Sequence, residues 1–131
     1  MRILVVDDDY VSRVKLAQLL APYGHRDSSP NGEIAIRLFE EAHKELAPYD
    51  LVTMDIGMPG MNGQEVLACL RERERGWGIP RETAAKIIMI TGRDSAKDVM
   101  SSYYEGCDGY LTKPIKSEAL GKALAEAGCK L

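Results

Sequence analysis

Asp50-Leu51-Val52-Thr53-Met54-Asp55-Ile56-Gly57-Met58-Pro59-Gly60-Met61-Asn62-Gly63 is the stretch whose reading decides the fold. Leu51 to Met54 is an apolar run too short for a helix and closed by turn residues, so it reads as a strand buried on both faces. It ends on a carboxylate, Asp55, after which the chain breaks through Gly57, Pro59, Gly60 and Gly63. An acid at the carboxyl end of a buried strand faces the crevice in which open α/β sheets bind ligands. One such Asp is weak by itself, because many merely cap a helix or open a turn. Its meaning depends on whether other strands bring partners to it.

Working outward, Ile3-Leu4-Val5-Val6 reads as a first strand that delivers Asp7-Asp8-Asp9. A helix follows with Ser12, Leu16, Leu19, Leu20 and Tyr23 on one stripe, Val11 and Val14 off it, and Pro22 and Gly24 marking its end. His25 to Ser29 is polar and predicts a short exposed edge strand. Asn31 is placed to cap a second helix whose buried face holds Ala35, Leu38, Phe39, Ala42 and Leu46, with Pro48 stopping it. Beyond Gly63, Val66, Leu67 and Leu70 form a narrow stripe, and the run Arg71-Glu72-Arg73-Glu74-Arg75 reads as a solvated helix end. Gly76 to Ala85 is a long connection containing Trp77 and Pro80, in which Trp77 is either an exposed contact point or, as is more common, packed under the loop. Lys86-Ile87-Ile88-Met89-Ile90 is the clearest strand and ends on Thr91-Gly92. A helix follows, with Ser95 and Asp98 at capping-box-like spacing and Ala96, Val99, Met100, Tyr103 and Cys107 on one face. Gly109-Tyr110-Leu111-Thr112 is a last strand ending on Lys113-Pro114. Ser117 then caps a final helix that buries Leu120, Ala123, Leu124 and Ala127. Strand and helix alternate five times, which predicts an α/β fold: a parallel sheet with helices on both faces.

The 131 residues suit a single domain, and 45% hydrophobic with 28% charged residues is a globular composition. A net charge of −3 argues against a large phosphate-neutralising surface, so direct nucleic-acid binding is not expected. No apolar run is long enough to cross a bilayer, and no secretory signal is present. Cys69, Cys107 and Cys129 match neither a disulfide framework nor a zinc spacing, which points to free thiols in a reducing, cytoplasmic setting. Met1 directly before the first strand favours a complete single-domain protein over a domain cut from a longer one.

All strands but the polar second one end in a chemically competent group: Asp7-Asp8-Asp9, Asp55, Thr91 and Lys113. A parallel sheet brings these ends to one edge. Carboxylates sharing an edge repel, so they bind a cation or raise a pKa. All-oxygen ligands few in number and open to water favour Mg²⁺. A metal-flanked Asp beside a hydroxyl and a lysine suits phosphoryl transfer to the Asp itself, with Thr91 and Lys113 binding the remaining oxygens. A structural ion pair between Lys113 and the acids is the plainer alternative.

Val5-Val6-Asp7-Asp8-Asp9, the Asp55-to-Gly63 segment, Thr91-Gly92 and Tyr110-Leu111-Thr112-Lys113-Pro114 closely resemble the receiver domain of two-component response regulators, in particular single-domain, chemotaxis-regulator-like ones. The resemblance spans essentially residues 1–131. It implies a flavodoxin-like, doubly wound five-stranded sheet of order 2-1-3-4-5 with five helices. It implies that Asp55 accepts a phosphoryl group from a sensor histidine kinase or histidine phosphotransfer protein, so that the chain catalyses its own phosphorylation and dephosphorylation without being a conventional enzyme. Mg²⁺ would be held by Asp8 directly, by Asp7 mainly through water, by Asp55, and by the Gly57 carbonyl, with Asp9 a more distant acid. Thr91 and Lys113 would hold the phosphoryl oxygens, and the Lys113-Pro114 bond would be cis. Thr91 and Tyr110 would form the switch, reshaping the face built from the fourth helix, fifth strand and fifth helix for a downstream protein.

Gly57 departs from the commonest pattern by placing no side chain beside the site, and Arg93 stands close in sequence to Thr91. Both bear on how long an acyl phosphate survives. Asn62 replaces a more usual Asp and reads as a turn detail, and the long 76–85 loop is either a docking feature or simply longer. A haloacid-dehalogenase-type phosphatase would need an acid where Gly57 stands, and a flavodoxin-like electron carrier would need a phosphate-cradling loop. The remaining alternative is a receiver-shaped interaction module that never turns over phosphate.

Overall fold

The computed structural model describes residues 1–92 and 106–130. In chain order these form β1 (Arg2–Val6), α1 (Tyr10–Leu19), a 3₁₀ turn (Ala21–Tyr23), β2 (His25–Ser29), α2 (Gly32–Lys44), β3 (Leu51–Asp55), α3 (Gly63–Gly76), β4 (Lys86–Thr91), β5 (Gly109–Thr112) and α4 (Ser117–Glu126). The five strands are all parallel, in the order β2-β1-β3-β4-β5. The helix expected over 95–107 lies outside the described residues, because residues 93–105 are not among them; Cys107, which is, is buried.

β3 is the central strand, and every one of its residues is buried, which is why Leu51 to Met54 reads as a continuous apolar run. Alternation splits the core in two. Leu4, Val6, Val52, Met54, Ile87 and Met89 face α2 and α3. Ile3, Val5, Leu51, Ile88 and Ile90 pack against Leu16 and Leu20 of the first helical segment and Leu120 and Leu124 of α4. Each such fully buried aliphatic side chain contributes about 1.5–3 kcal/mol relative to exposure. The two cores hold the sheet rigid, so its carboxyl edge becomes a fixed platform.

β2 is the exposed edge strand that its polarity predicted. It is fastened by charge: Asp27 accepts from the Tyr49 hydroxyl at 2.7 Å and from His25 at 3.0 Å, and lies 3.5 Å from Arg2. Burial favours the neutral acid, but these partners outweigh it and lower the Asp27 pKa.

Three local readings, those of Leu46, Ser117 and the 71–75 charge run, need correction, while Asp9 stands apart from the acids as expected. Leu46 is 90% exposed: α2 ends at Lys44, and Leu46 adopts φ 59°, turning the chain away before Pro48 is reached. Ser117 is the first residue of α4; the N-cap is Lys116, without a side-chain cap bond. Within the charge run, Arg71 and Glu74 are buried, at 5% and 4% exposure, because they pair with each other and with main-chain groups of the β4 and β5 approaches. Asp9 caps α1, accepting the Ser12 N–H at 2.9 Å, and so turns its carboxylate to the helix. Trp77 packs as expected under the loop, stacking on His43 (3.8 Å) and Phe39 (5.9 Å).

Candidate functional site

The sequence of the β3–α3 turn explains why Asp55 is presented as it is. Gly63 sits so close to the Asp55 carbonyl oxygen and the Ile56 Cα that a side chain there would collide with backbone. Its N–H donates to the Ile56 carbonyl at 3.1 Å, and Gly60 supplies a positive φ of 74°. Asn62 then caps α3 in a reciprocal box with Glu65, so the turn is closed on both sides.

Asp7 at the end of β1 and Asp55 at the end of β3 are buried, and Asp8 is exposed beside them. One carboxylate oxygen from each of the three lies within 4.8 Å of the others. The Lys113 ammonium reaches in from the end of β5, 3.1 Å from Asp7 Oδ2 and 3.8 Å from Asp55 Oδ2. The Lys113-Pro114 peptide is cis. Thr91 is buried at the end of β4, directly opposite Thr112, and its carbonyl accepts the Lys113 N–H at 2.8 Å. Gly57 follows Asp55 in the turn and donates its N–H to Asp55 Oδ1 at 3.2 Å; a Cβ at Gly57 would meet nothing within 4 Å. Tyr110 lies within β5 and is 37% exposed. The sheet therefore gathers Asp7, Asp8, Asp55 and Lys113 into direct proximity, while Thr91 and Gly57 flank them and Asp9 is withdrawn.

Electrostatics follow from this crowding. Burial, and then the Asp7 charge, push the Asp55 pKa up to about 6, against the pull of Lys113 and the Gly57 N–H. Burial draws the Lys113 pKa down, but its hydrogen bond to Asp7 and the charges of Asp55, Asp7 and Asp9 raise it overall. One ammonium thus contacts two carboxylates, Asp7 and Asp55. The donor set is all oxygen and open on the Asp8 side, which fits a hard divalent cation of magnesium type.

Sequence reasoning missed Arg13, whose guanidinium donates to the Asp7 carbonyl at 2.8 Å and steadies the β1–α1 turn. It sits six residues beyond Asp7, and no local pattern marks it; only the docking of α1 brings it back. A cleft of about 480 Å³, lined by Asp7, Ser12, Leu16, Gly92, Lys113 and Pro114 among others, opens beside the acids.

A parallel five-stranded sheet carrying acids and a lysine at its carboxyl edge defines a class of phosphoryl-accepting switch domains. The family model of the response regulator receiver domain matches residues 3–125, and the chain belongs to that family. It is 36% identical over 131 residues to the positive alginate biosynthesis regulatory protein of Pseudomonas aeruginosa, covering 97% of this chain and 47% of that protein. It is 33% identical over 129 residues to the two-component response regulator ORR41 of Oryza sativa subsp. japonica, covering 96% of this chain and 93% of that one. The chain thus spans about half the first relative and nearly all of the second. Among solved structures, it resembles a chain in the co-crystal of the Saccharomyces cerevisiae phosphotransfer protein Ypd1 with the receiver domain of Ssk1 (TM-score 0.84, 27% identity, 98% of this chain and 89% of that chain). It also resembles the receiver domain of the Arabidopsis thaliana histidine kinase CKI1 complexed with Mg²⁺ and BeF₃⁻ (TM-score 0.78, 25% identity, 95% and 89%). The chain is a two-component receiver, and its Asp7, Asp8 and Asp55 pocket matches the phosphoacceptor site of the family.

Proposed function

We propose that Asp55 accepts a phosphoryl group from a histidine kinase or histidine phosphotransfer protein. The observation that carries this reading is the convergence of three carboxylates within 4.8 Å, with Lys113 at 3.1 Å from Asp7 and 3.8 Å from Asp55. An Asp55 carboxylate oxygen forms the new O–P bond while the donor's N–P bond breaks and its imidazole departs. Lys113 and the Thr91 hydroxyl take the phosphoryl oxygens, where their charge and dipole favour the transition state more than the free acid. Asp7, Asp8, Asp55 and the Gly57 carbonyl are the groups that hold Mg²⁺. When bound, the ion offsets the negative charge of the incoming phosphoryl group. Gly57 carries no side chain that could screen the acyl phosphate from water, and a Cβ there would meet nothing within 4 Å, which bears on the lifetime of that phosphate.

The complex of Ypd1 with the Ssk1 receiver supports a phosphotransfer protein as donor, and the CKI1 receiver with Mg²⁺ supports the choice of ion. Thr91 and Tyr110 form the switch pair, and the face built from β5 and α4 receives the downstream protein; the helix expected before β5 as the third part of that face lies outside the described residues. Three unpaired cysteines suit a cytoplasmic setting, and no helix among the described residues is long and apolar enough to cross a membrane.

Incubation with acetyl phosphate and Mg²⁺, followed by intact mass measurement, tests the proposal. One phosphoryl adduct is expected, absent in Asp55→Asn. No adduct on the unaltered chain would instead favour an interaction module that does not turn over phosphate.

A further inference from the structure

Lys113 follows an edge strand that buries little apolar surface among the described residues. β5 has four residues and a single neighbour, β4. Gly109 has no side chain, Tyr110 and Thr112 are exposed, and among the described residues Leu111 is the side chain of β5 that packs into the adjoining core. Apolar burial therefore does little to set the register of β5. Register nonetheless decides the chemistry, since a slip of one residue would turn the Lys113 side chain to the opposite face of the sheet.

The pinning lies just upstream, where charge replaces burial. Asp108 Oδ2 accepts the Ile87 N–H at 2.8 Å and Arg71 Nη2 at 2.9 Å, and Asp108 Oδ1 accepts Arg81 Nη2 at 3.0 Å. The Asp108 N–H donates to the Ile87 carbonyl at 2.8 Å. The Gly106 carbonyl accepts from Arg71 Nε and from Arg81 Nη2, each at 3.0 Å. Arg71 Nη1 is anchored in turn by Glu74 and the Ala85 carbonyl, both at 2.8 Å, while Glu74 also accepts the Ala85 N–H at 2.9 Å. The planar fork of one buried guanidinium thus joins α3, the approach to β4 and the approach to β5, which an ammonium on a flexible stem does not reproduce.

We propose that Arg71, backed by Arg81, is a positioning residue for phosphoryl transfer: by clamping Gly106 and Asp108 it fixes β5 on β4 and thereby seats Lys113 above Asp7 and Asp55. This rests on the reading of Lys113 as a ligand of the phosphoryl oxygens. Asp7, Asp8 and Gly57 follow β1 and β3, so the clamp leaves the placement of these groups alone and reaches the cation site only through the charge of Lys113 beside Asp7 and Asp55.

The test uses Arg71→Lys and Arg81→Ala in the full chain. Arg81 is half exposed, so its variant keeps the fold should Arg71→Lys lose it. Adduct formation with acetyl phosphate is expected to slow on the order of tenfold in Arg71→Lys, as misplacement of a catalytic group by a fraction of an ångström does, and less in Arg81→Ala. Magnesium affinity should not weaken, since a displaced Lys113 ammonium leaves Asp7 and Asp55 more negative, and the Lys113 amide should exchange its hydrogen faster. In a Lys113→Ala background neither substitution should slow the reaction further. An equal loss in that background, a weakened magnesium affinity of matching size, or unchanged rates in folded variants would overturn the inference. Lack of any adduct on the unaltered chain would overturn the phosphoacceptor reading beneath it, a result that is separately visible.

Discussion

Burial and the Asp7 charge raise the Asp55 pKa from 3.8 to about 6, so the folded chain holds that proton more tightly than the unfolded chain does. The stabilisation this brings is full below about pH 4 and is lost as pH rises through about 6, a difference of roughly 3 kcal/mol for a two-unit shift. Asp9 and Asp27 have lowered values, and their contribution disappears only as pH falls below the ordinary carboxylate range, a separate window. Urea unfolding in the presence of a chelator should therefore show stability declining between about pH 4 and pH 6, and Asp55→Asn should remove that slope. Thr53 makes a second residue-scale case. It is fully buried in β3, and its hydroxyl has no partner among the described residues. Valine keeps the shape and removes the unpaired group, so Thr53→Val is expected to stabilise the protein by about 1 kcal/mol. A thermal midpoint raised by a few degrees would show it, and a lowered one would mean that the hydroxyl is satisfied in solution.

The elements differ in how they are secured. β3 and β4 are held by burial on both faces, whereas β5 is held by ions and α3 begins at a cap. The Asn62 side chain accepts the Glu65 N–H at 2.9 Å and Glu65 returns the bond to the Asn62 N–H at 3.2 Å. Asn62→Ala removes the side-chain acceptor of the Glu65 N–H, leaves the backbone N–H that Glu65 accepts, and should cost about 1 kcal/mol in chemical denaturation. An unchanged midpoint would make the box incidental. The cap also shapes the turn that presents Asp55, which ties the stability of α3 to the geometry of the site.

At the scale of the whole molecule, the site and Tyr110 share β5, so a change at Asp55 has a short mechanical route to an exposed ring. A phosphoryl group shifts that ring only by its different affinity for two arrangements of it. Beryllofluoride with Mg²⁺ should alter the Tyr110 side-chain rotamer populations read from NMR couplings, and identical populations would remove Tyr110 from the switch. The amino-acid sequence alone determined the alternation of elements, the polar edge strand, and the arrival of Asp7, Asp55, Thr91 and Lys113 at one edge. Those features are written locally, as apolar runs ending in acids or turns, and a parallel sheet needs nothing more to align its strand ends. Tertiary structure alone decided which charges are surface and which are clamps. Arg71 and Glu74 look like any solvated helix end until Ala85, Gly106 and Asp108 arrive from 11 to 37 residues away, and Arg13 gains meaning only once α1 lies against β1. Asp8 and Asp9 are neighbours of the same chemistry, yet one joins the cluster and the other caps a helix. The reason is physical: burial and pairing of a charge depend on what the rest of the chain packs around it, and no short window of residues contains that information.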